Sequence, residues 1–210
     1  MFTQTDHPED DPFSSLKFEA PEGMTGFAIF PTAIGACALV WKDEAIIGAA
    51  FPESSDARTR VRLAARFPGA VEAEPPPAVE DAIALVVRLI AGEDVDLSGI
   101  AIDLSGADSF ERQVYAAALT IPRGEVRTYG EIANAIGAPG AARAVGAALG
   151  RNPIPILVPC HRVLAASGGS GGFSAPGGTA TKFRILAIEG ARRSAEPELF
   201  DRLPLAVKPG

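Results

Sequence analysis

Long apolar runs are missing from this sequence of 210 residues, and a membrane span would require about 18 or more in succession. Cysteine and histidine are scarce, with two of each. Cys37 and Cys160 cannot build a disulfide framework, which points to a reducing cytoplasm. With so few sulfur and imidazole ligands, no metal site is expected. The stretch from Met1 to Phe13 has no basic segment followed by an apolar one, so no secretory signal is expected there. Positive charge is also short: 19 Lys+Arg stand against 26 Asp+Glu, a net charge of -7. That balance at first argues against a nucleic-acid partner, because phosphate contacts need cations.

What is present changes the picture. A hydrophobic fraction of 47% is ample for a packed core, and the length fits one large or two small domains. The charge is unevenly placed: residues 1–100 hold 7 Lys+Arg and 17 Asp+Glu, whereas residues 101–193 hold 10 and 6. A chain acidic at one end and basic further on can still present one positive face, although ordinary solvated charge explains the same numbers. Residues 1–20 read as a flexible acidic arm. Short apolar runs at Gly26–Phe30, Ile34–Trp41 and Ala45–Phe51, with a turn at Lys42-Asp43-Glu44, predict a small antiparallel sheet. Val61, Ala64 and Ala65 suggest one face of a helix over 56–67. Ile83, Val86, Val87 and Ile90 mark a clearer helix after Pro75-Pro76-Pro77, ended by Gly92. The polar stretch Glu93–Gly106 is the best candidate for a domain boundary.

In the second half, Phe110, Val114, Ala117, Ala118 and Ile121 mark a helix capped by Asp108 or Ser109. Thr128 with Glu131 matches a capping box opening a short helix to Ile136. After a Gly/Pro turn, another helix runs from about Ala141 to Gly150, so the pair is a helix-turn-helix candidate. In that second helix Ala142, Ala144 and Gly146 surround Arg143. Such a face suits tight packing against a neighbouring helix, or close approach to another surface; Arg143 is less well explained by packing alone. Three prolines, at 153, 155 and 159, predict a stiff extended segment that ends in Cys160. The residue after it, His161, is the only histidine outside the acidic arm. If Cys160 acts as a thiolate, His161 is its one plausible base, and Glu189 is a candidate acceptor for the imidazole. Adjacent side chains point apart in an extended chain, so a bridging water is one way to join Cys160 and His161. Glu189 ends an apolar helix over 179–188, where the macrodipole costs a carboxylate about 0.3–1 kcal/mol, which suggests a partner elsewhere. The Gly-rich stretch 167–178 matches no phosphate-binding signature, and Cys37 reads as a small buried hydrophobe.

Pro159-Cys160-His161-Arg162-Val163, the run from Arg143 to Pro153, and the run from Gly171 through Phe173-Ser174-Ala175-Pro176 to Ile188-Glu189-Gly190 together resemble the O6-alkylguanine-DNA alkyltransferases. The resemblance covers about 109–191 and implies α/β architecture: a small ribonuclease-H-like antiparallel-sheet domain over 21–104, then a mostly helical winged helix-turn-helix domain over 105–193, with a tail at 194–210. It implies a monomer that repairs double-stranded DNA in the cytoplasm by moving the alkyl group of O6-alkylguanine irreversibly onto Cys160, once per molecule, without a cofactor. His161 would activate Cys160 through a water, Glu189 would orient His161, and Asn152 would brace the reactive segment. Tyr129 would sit by the DNA phosphate and Arg143 would fill the stack left by the flipped base. Ala142, Ala144, Gly146 and Arg151 would face the DNA, and Pro155, Val163, Phe173 and Ser174 would line the base pocket. Phe173 stands where many members have Tyr, and the N-terminal half lacks the Cys/His set that binds zinc in some relatives. The overall acidity predicts weak, salt-sensitive DNA binding. The alternatives are a non-catalytic lesion-binding protein, a cysteine hydrolase using Cys160, His161 and Glu189, and a DNA-binding regulator.

Overall fold

The computed structural model describes residues 23–166 and 175–191. The expected acidic arm, most of the Gly-rich stretch and the tail lie outside these residues. The first half folds into a sheet because its apolar runs are short and separated by turn residues. Strands β1 (Thr25–Thr32), β2 (Gly35–Lys42) and β3 (Ala45–Ala50) form an antiparallel meander, with Phe27 opposite Val40 and Ala38 opposite Ala50. Asp43, in the turn between β2 and β3, takes φ 54, a left-handed conformation that aspartate tolerates. Helix α1 (Asp56–Arg66) follows, and β4 (Val71–Glu72) then pairs parallel to β1, giving the order β3-β2-β1-β4.

Period-two alternation sorts the sheet residues between two faces. Cys37, Leu39 and Trp41 turn to the main core, whereas Ala38 and Val40 join Phe27, Ala50 and Leu63 beneath α1. This corrects the expected face of α1. Val61 is 71% exposed and Ala64 and Ala65 are also exposed, while Thr59 and Leu63 are buried. Leu63, the largest apolar side chain of the helix, sets which stripe meets the sheet, and two alanines cannot outweigh it. Helix α2 (Pro77–Ile90) starts with Pro77 in its first turn, where a missing N–H costs nothing. Its buried stripe is Val79, Ala82, Val86, Leu89 and Ile90, so Ile83 and Val87 lie at the edge of that stripe rather than its centre.

The polar stretch 93–106 forms no helix, but it is tied to the sheet: Ile46 N donates to Ala101 O and Asp103 N donates to Ile46 O, each at 2.8 Å. Beyond it, α3 (Ser109–Leu119) is capped by Asp108, whose side chain accepts from Glu111 N at 2.8 Å. Strand β5 (Arg127–Thr128) leads into α4 (Tyr129–Ala135), capped by Thr128 through the expected box with Glu131. Then come α5 (Ala142–Gly150), β6 (Val163–Leu164) and α6 (Gly178–Ile188). β5 and β6 pair in parallel, Arg127 with Val163 and Thr128 with Leu164, and this pairing fixes the start of α4 beside the chain leaving Cys160. One core runs through both halves, from Leu39, Trp41 and Val86 to Val114, Val145, Ile154 and Ile185. The architecture is mixed α/β, and among the described residues no helix is long and apolar enough to cross a membrane.

Candidate active site

The prolines at 153, 155 and 159 predict an extended run, and the structure corrects this. The segment folds back on itself, with Val158 N donating to Ile154 O at 2.9 Å and Pro155 bridged to Val158. Asn152 explains the fold. Its Oδ1 accepts from Ile154 N at 3.0 Å and its Nδ2 donates to Val158 O at 2.9 Å, so one side chain replaces pairing that proline denies the backbone. Ile156 is driven to φ 80, a region a β-branched residue rarely occupies. Cys160–Arg162 then form a single 3-10 turn rather than extended chain, so neighbouring side chains diverge by about 120°.

The turn packs its side chains inward: Cys160 is 6% exposed, His161 0% and Arg162 9%. His161 Nε2 lies 3.1 Å from Glu189 Oε1. Glu189 also accepts from Arg162, Nε to Oε2 at 3.0 Å and Nη2 to Oε1 at 2.7 Å, while Arg162 Nη1 donates to Ile121 O at 2.7 Å. The carboxylate at the end of α6 thus finds two buried partners. Gly190, at φ 65, ends the helix just beyond it, and Gly124, at φ 80, lets the 121–124 turn press against the Glu189 carbonyl.

Burial pushes the Glu189 carboxyl up, but His161 and Arg162 outweigh it and hold the group down at about 2. Burial lowers His161, against the pull of Glu189, so the imidazole is neutral near pH 7. With a carboxylate at Nε2, the proton belongs on Nε2 and Nδ1 keeps its lone pair. Nδ1 is buried without a hydrogen-bond partner among the described residues. Burial raises the Cys160 thiol, with Asn152 and Lys182 acting in the other direction.

A cavity opens beside Cys160, and its lining includes Tyr129, Asn152, Pro155, Ala175, Phe51 and Arg66. Four of the expected residues, Cys160, Tyr129, Asn152 and Pro155, therefore line one cavity. Val163 does not line it: its side chain is buried in β6 and its carbonyl accepts from Lys182 Nζ. Arg143 lies elsewhere, exposed on α5 with Ala144, while Ala142 and Gly146 are half-buried and Tyr129 packs near Gly146. Arg151 is exposed and paired to Glu111 at 2.6 Å. Phe173 and Ser174 lie outside the described residues.

Sequence reasoning gives no role to three residues that the structure brings here. Arg162 and Arg66 are set by contacts across the chain that no local pattern reveals. Lys182 had a signal: it shares the buried face of α6 with Ile185 and Leu186, an i, i+3, i+4 stripe that a lysine ordinarily avoids. Its Nζ lies 5.7 Å from the centre of the Tyr129 ring, and burial lowers its pKa to about 8 despite the nearby Cys160.

Residues 109–191 match the family model described as the DNA-binding domain of 6-O-methylguanine DNA methyltransferase. A methylated-DNA–protein-cysteine methyltransferase of Mycobacterium tuberculosis is 49% identical over 126 residues, which are 60% of this chain and 74% of that protein. Among solved structures, Mycobacterium tuberculosis OGT in complex with DNA is similar with a TM-score of 0.66 and 37% identity, covering 84% of this chain and 99% of that one. The O6-methylguanine-DNA methyltransferase of Pyrococcus kodakaraensis is similar with a TM-score of 0.62 and 26% identity, covering 79% and 99%.

Proposed function

We propose a function from one premise: the chain belongs to the methylated-DNA–protein-cysteine methyltransferase family. It repairs DNA by direct reversal, taking the alkyl group of O6-alkylguanine onto Cys160. The observation that carries this reading is a buried cysteine on a cavity, with a neutral histidine and a fixed carboxylate behind it. Sγ attacks the alkyl carbon, the S–C bond forms as the C–O6 bond breaks, and the electron pair stays with guanine. The thiol proton leaves through a bridging water to His161 Nδ1, and one proton returns to the departing base, so charge balances. Glu189 fixes the tautomer that leaves Nδ1 free to accept, and Arg162 fixes Glu189. Asn152 holds the turn that aims Cys160. The product is a thioether, which has no leaving group for a second cycle, so each molecule acts once.

The lesion is buried in duplex DNA and must be extruded, which costs a few kcal/mol. The small-residue face of α5, exposed at Arg143 and Ala144, suits close approach in the minor groove, and Arg143 suits the gap left in the stack. Tyr129 lines the cavity and packs near Gly146 of α5, which supports a role for it beside the DNA phosphate. Ala142, Ala144 and Gly146 complete that face, and Arg151 borders it, its pairing with Glu111 competing with phosphate. Phe173 and Ser174 are assigned to the base pocket with Pro155. We assign the first part, 21–104, a ribonuclease-H-like path and the second, 105–193, a winged helix-turn-helix; the α4–turn–α5 pair beside the β5–β6 pairing supports the latter. The protein acts as a monomer in a reducing cytoplasm, where Cys160 stays a thiol.

The test is intact-protein mass after mixing with a short duplex that carries one O6-methylguanine, with Cys160→Ala as control. The expected result is a gain of one methylene mass, saturating at one per molecule and absent from the control. Tight lesion binding without mass gain would mean a damage-recognition protein. Neither gain nor binding would sink the DNA reading in favour of a cysteine hydrolase.

A further inference from the structure

Two arginines of α1, Arg62 and Arg66, line the cavity from the acidic half of the chain. Arg66 closes α1, and its Nη2 donates to two successive carbonyls more than eighty positions away: Arg151 O at 2.9 Å and Asn152 O at 2.8 Å. Those carbonyls form the junction between α5 and the turn that delivers Cys160. The C-terminal turn of a helix leaves carbonyls without intrahelical partners, and a cation there also meets the negative end of the macrodipole. Within the second half the end of α5 already has two holders, Tyr115 OH on Ala148 O at 3.0 Å and Glu111 on Arg151. Neither touches Asn152, which leaves Arg66 to tie that residue's carbonyl. The Asn152 side chain is in turn what shapes the 152–158 turn, and it acts against the burial that raises the Cys160 thiol.

We propose that Arg66 is a positioning residue for alkyl transfer: from the sheet-bearing half it holds the Arg151–Asn152 junction, fixing the end of the DNA-facing helix and the turn of Cys160 in one register. The sheet-bearing half is then part of the reaction machinery, with this side chain acting beside the β3 backbone bond from Ala49 N to Pro153 O at 2.9 Å. The inference rests on Cys160 being the alkyl acceptor. It places Arg66 upstream of the reacting atoms, acting through Asn152, and not on the DNA.

The experiment is single-turnover methyl transfer from the O6-methylguanine duplex, followed by protein mass over a range of protein concentrations and pH, for the unaltered chain, Arg66→Gln and Arg66→Lys. Misplacement of a reacting group by a fraction of an ångström predicts a limiting rate about tenfold or more lower for Arg66→Gln. The midpoint of its pH–rate profile should move to higher pH, because Asn152 no longer favours the thiolate as well. The half-saturating concentration should stay unchanged, and Arg66→Lys should recover part of the rate. A raised half-saturation with an unchanged limiting rate would make Arg66 a DNA contact and overturn the proposal. So would a lowered thermal midpoint with rate and pH profile intact, which is a packing role alone. An unaltered chain that gains no methyl on Cys160 would instead strike the function itself.

Discussion

His161 is held by a carboxylate at one nitrogen and left open at the other: the carboxylate keeps the proton on the first, and burial keeps the second without one. General-base assistance of this kind contributes about 10²–10⁴ in rate, so His161→Gln should lose that much in single-turnover transfer while still binding the lesion duplex. Glu189 has the opposite sensitivity. Its carboxyl is held at about 2 in the folded chain, below the ordinary value near 4.3, so its contribution to stability is complete above that ordinary value and is lost as pH falls toward 2. Glu189→Gln should flatten the acid limb of a stability–pH curve measured by urea denaturation. It should also lower stability at pH 7 by about 3–5 kcal/mol, because it strands Arg162 in a buried site. An unchanged acid limb would mean that another carboxyl controls acid unfolding. These roles were only partly legible beforehand. Cys160, His161 and Glu189 could be picked out because they are scarce or oddly placed, whereas Arg162 looks like any arginine until its five donors are counted against Glu189 and Ile121 O.

Among the elements, those governed by neighbouring residues were legible and those governed by distant ones were not. The Thr128–Glu131 box, the Asp108 cap and the glycine after Glu189 are local hydrogen-bond patterns, and each stands where the sequence puts it. The face of α1 was misread because the sheet chose it through Leu63, and the 152–159 segment was misread because an asparagine side chain supplied hydrogen bonds that prolines could not. Thr128 is where a local device meets the site, since it caps the helix that begins with Tyr129. Thr128→Ala should cost about 1 kcal/mol in urea unfolding. Because the capping hydroxyl fixes the helix start that carries Tyr129, transfer should slow as well, with Thr128→Ser restoring both. Restored stability without restored rate would separate the cap from the placement of Tyr129.

Over the whole molecule, a negatively charged chain must approach a negatively charged polymer. Residues 1–20 hold five acidic groups and one lysine, so their removal should tighten duplex binding at low salt and leave it nearly unchanged at high salt. Binding measured against salt concentration for the full and shortened chains checks this; equal curves would mean that the arm stays away from the DNA face. The core continuous from Trp41 to Ile185 predicts one cooperative unfolding transition for both halves. The burial of Cys160 has a last consequence, for the lifetime of the protein between lesions. A nucleophile used only once is also spent by any peroxide or disulfide that reaches it first, and those reagents select exposed thiolates. With its thiol raised by burial and its surface 6% exposed, Cys160 offers such reagents little, so its oxidation by peroxide in the absence of DNA should be slow.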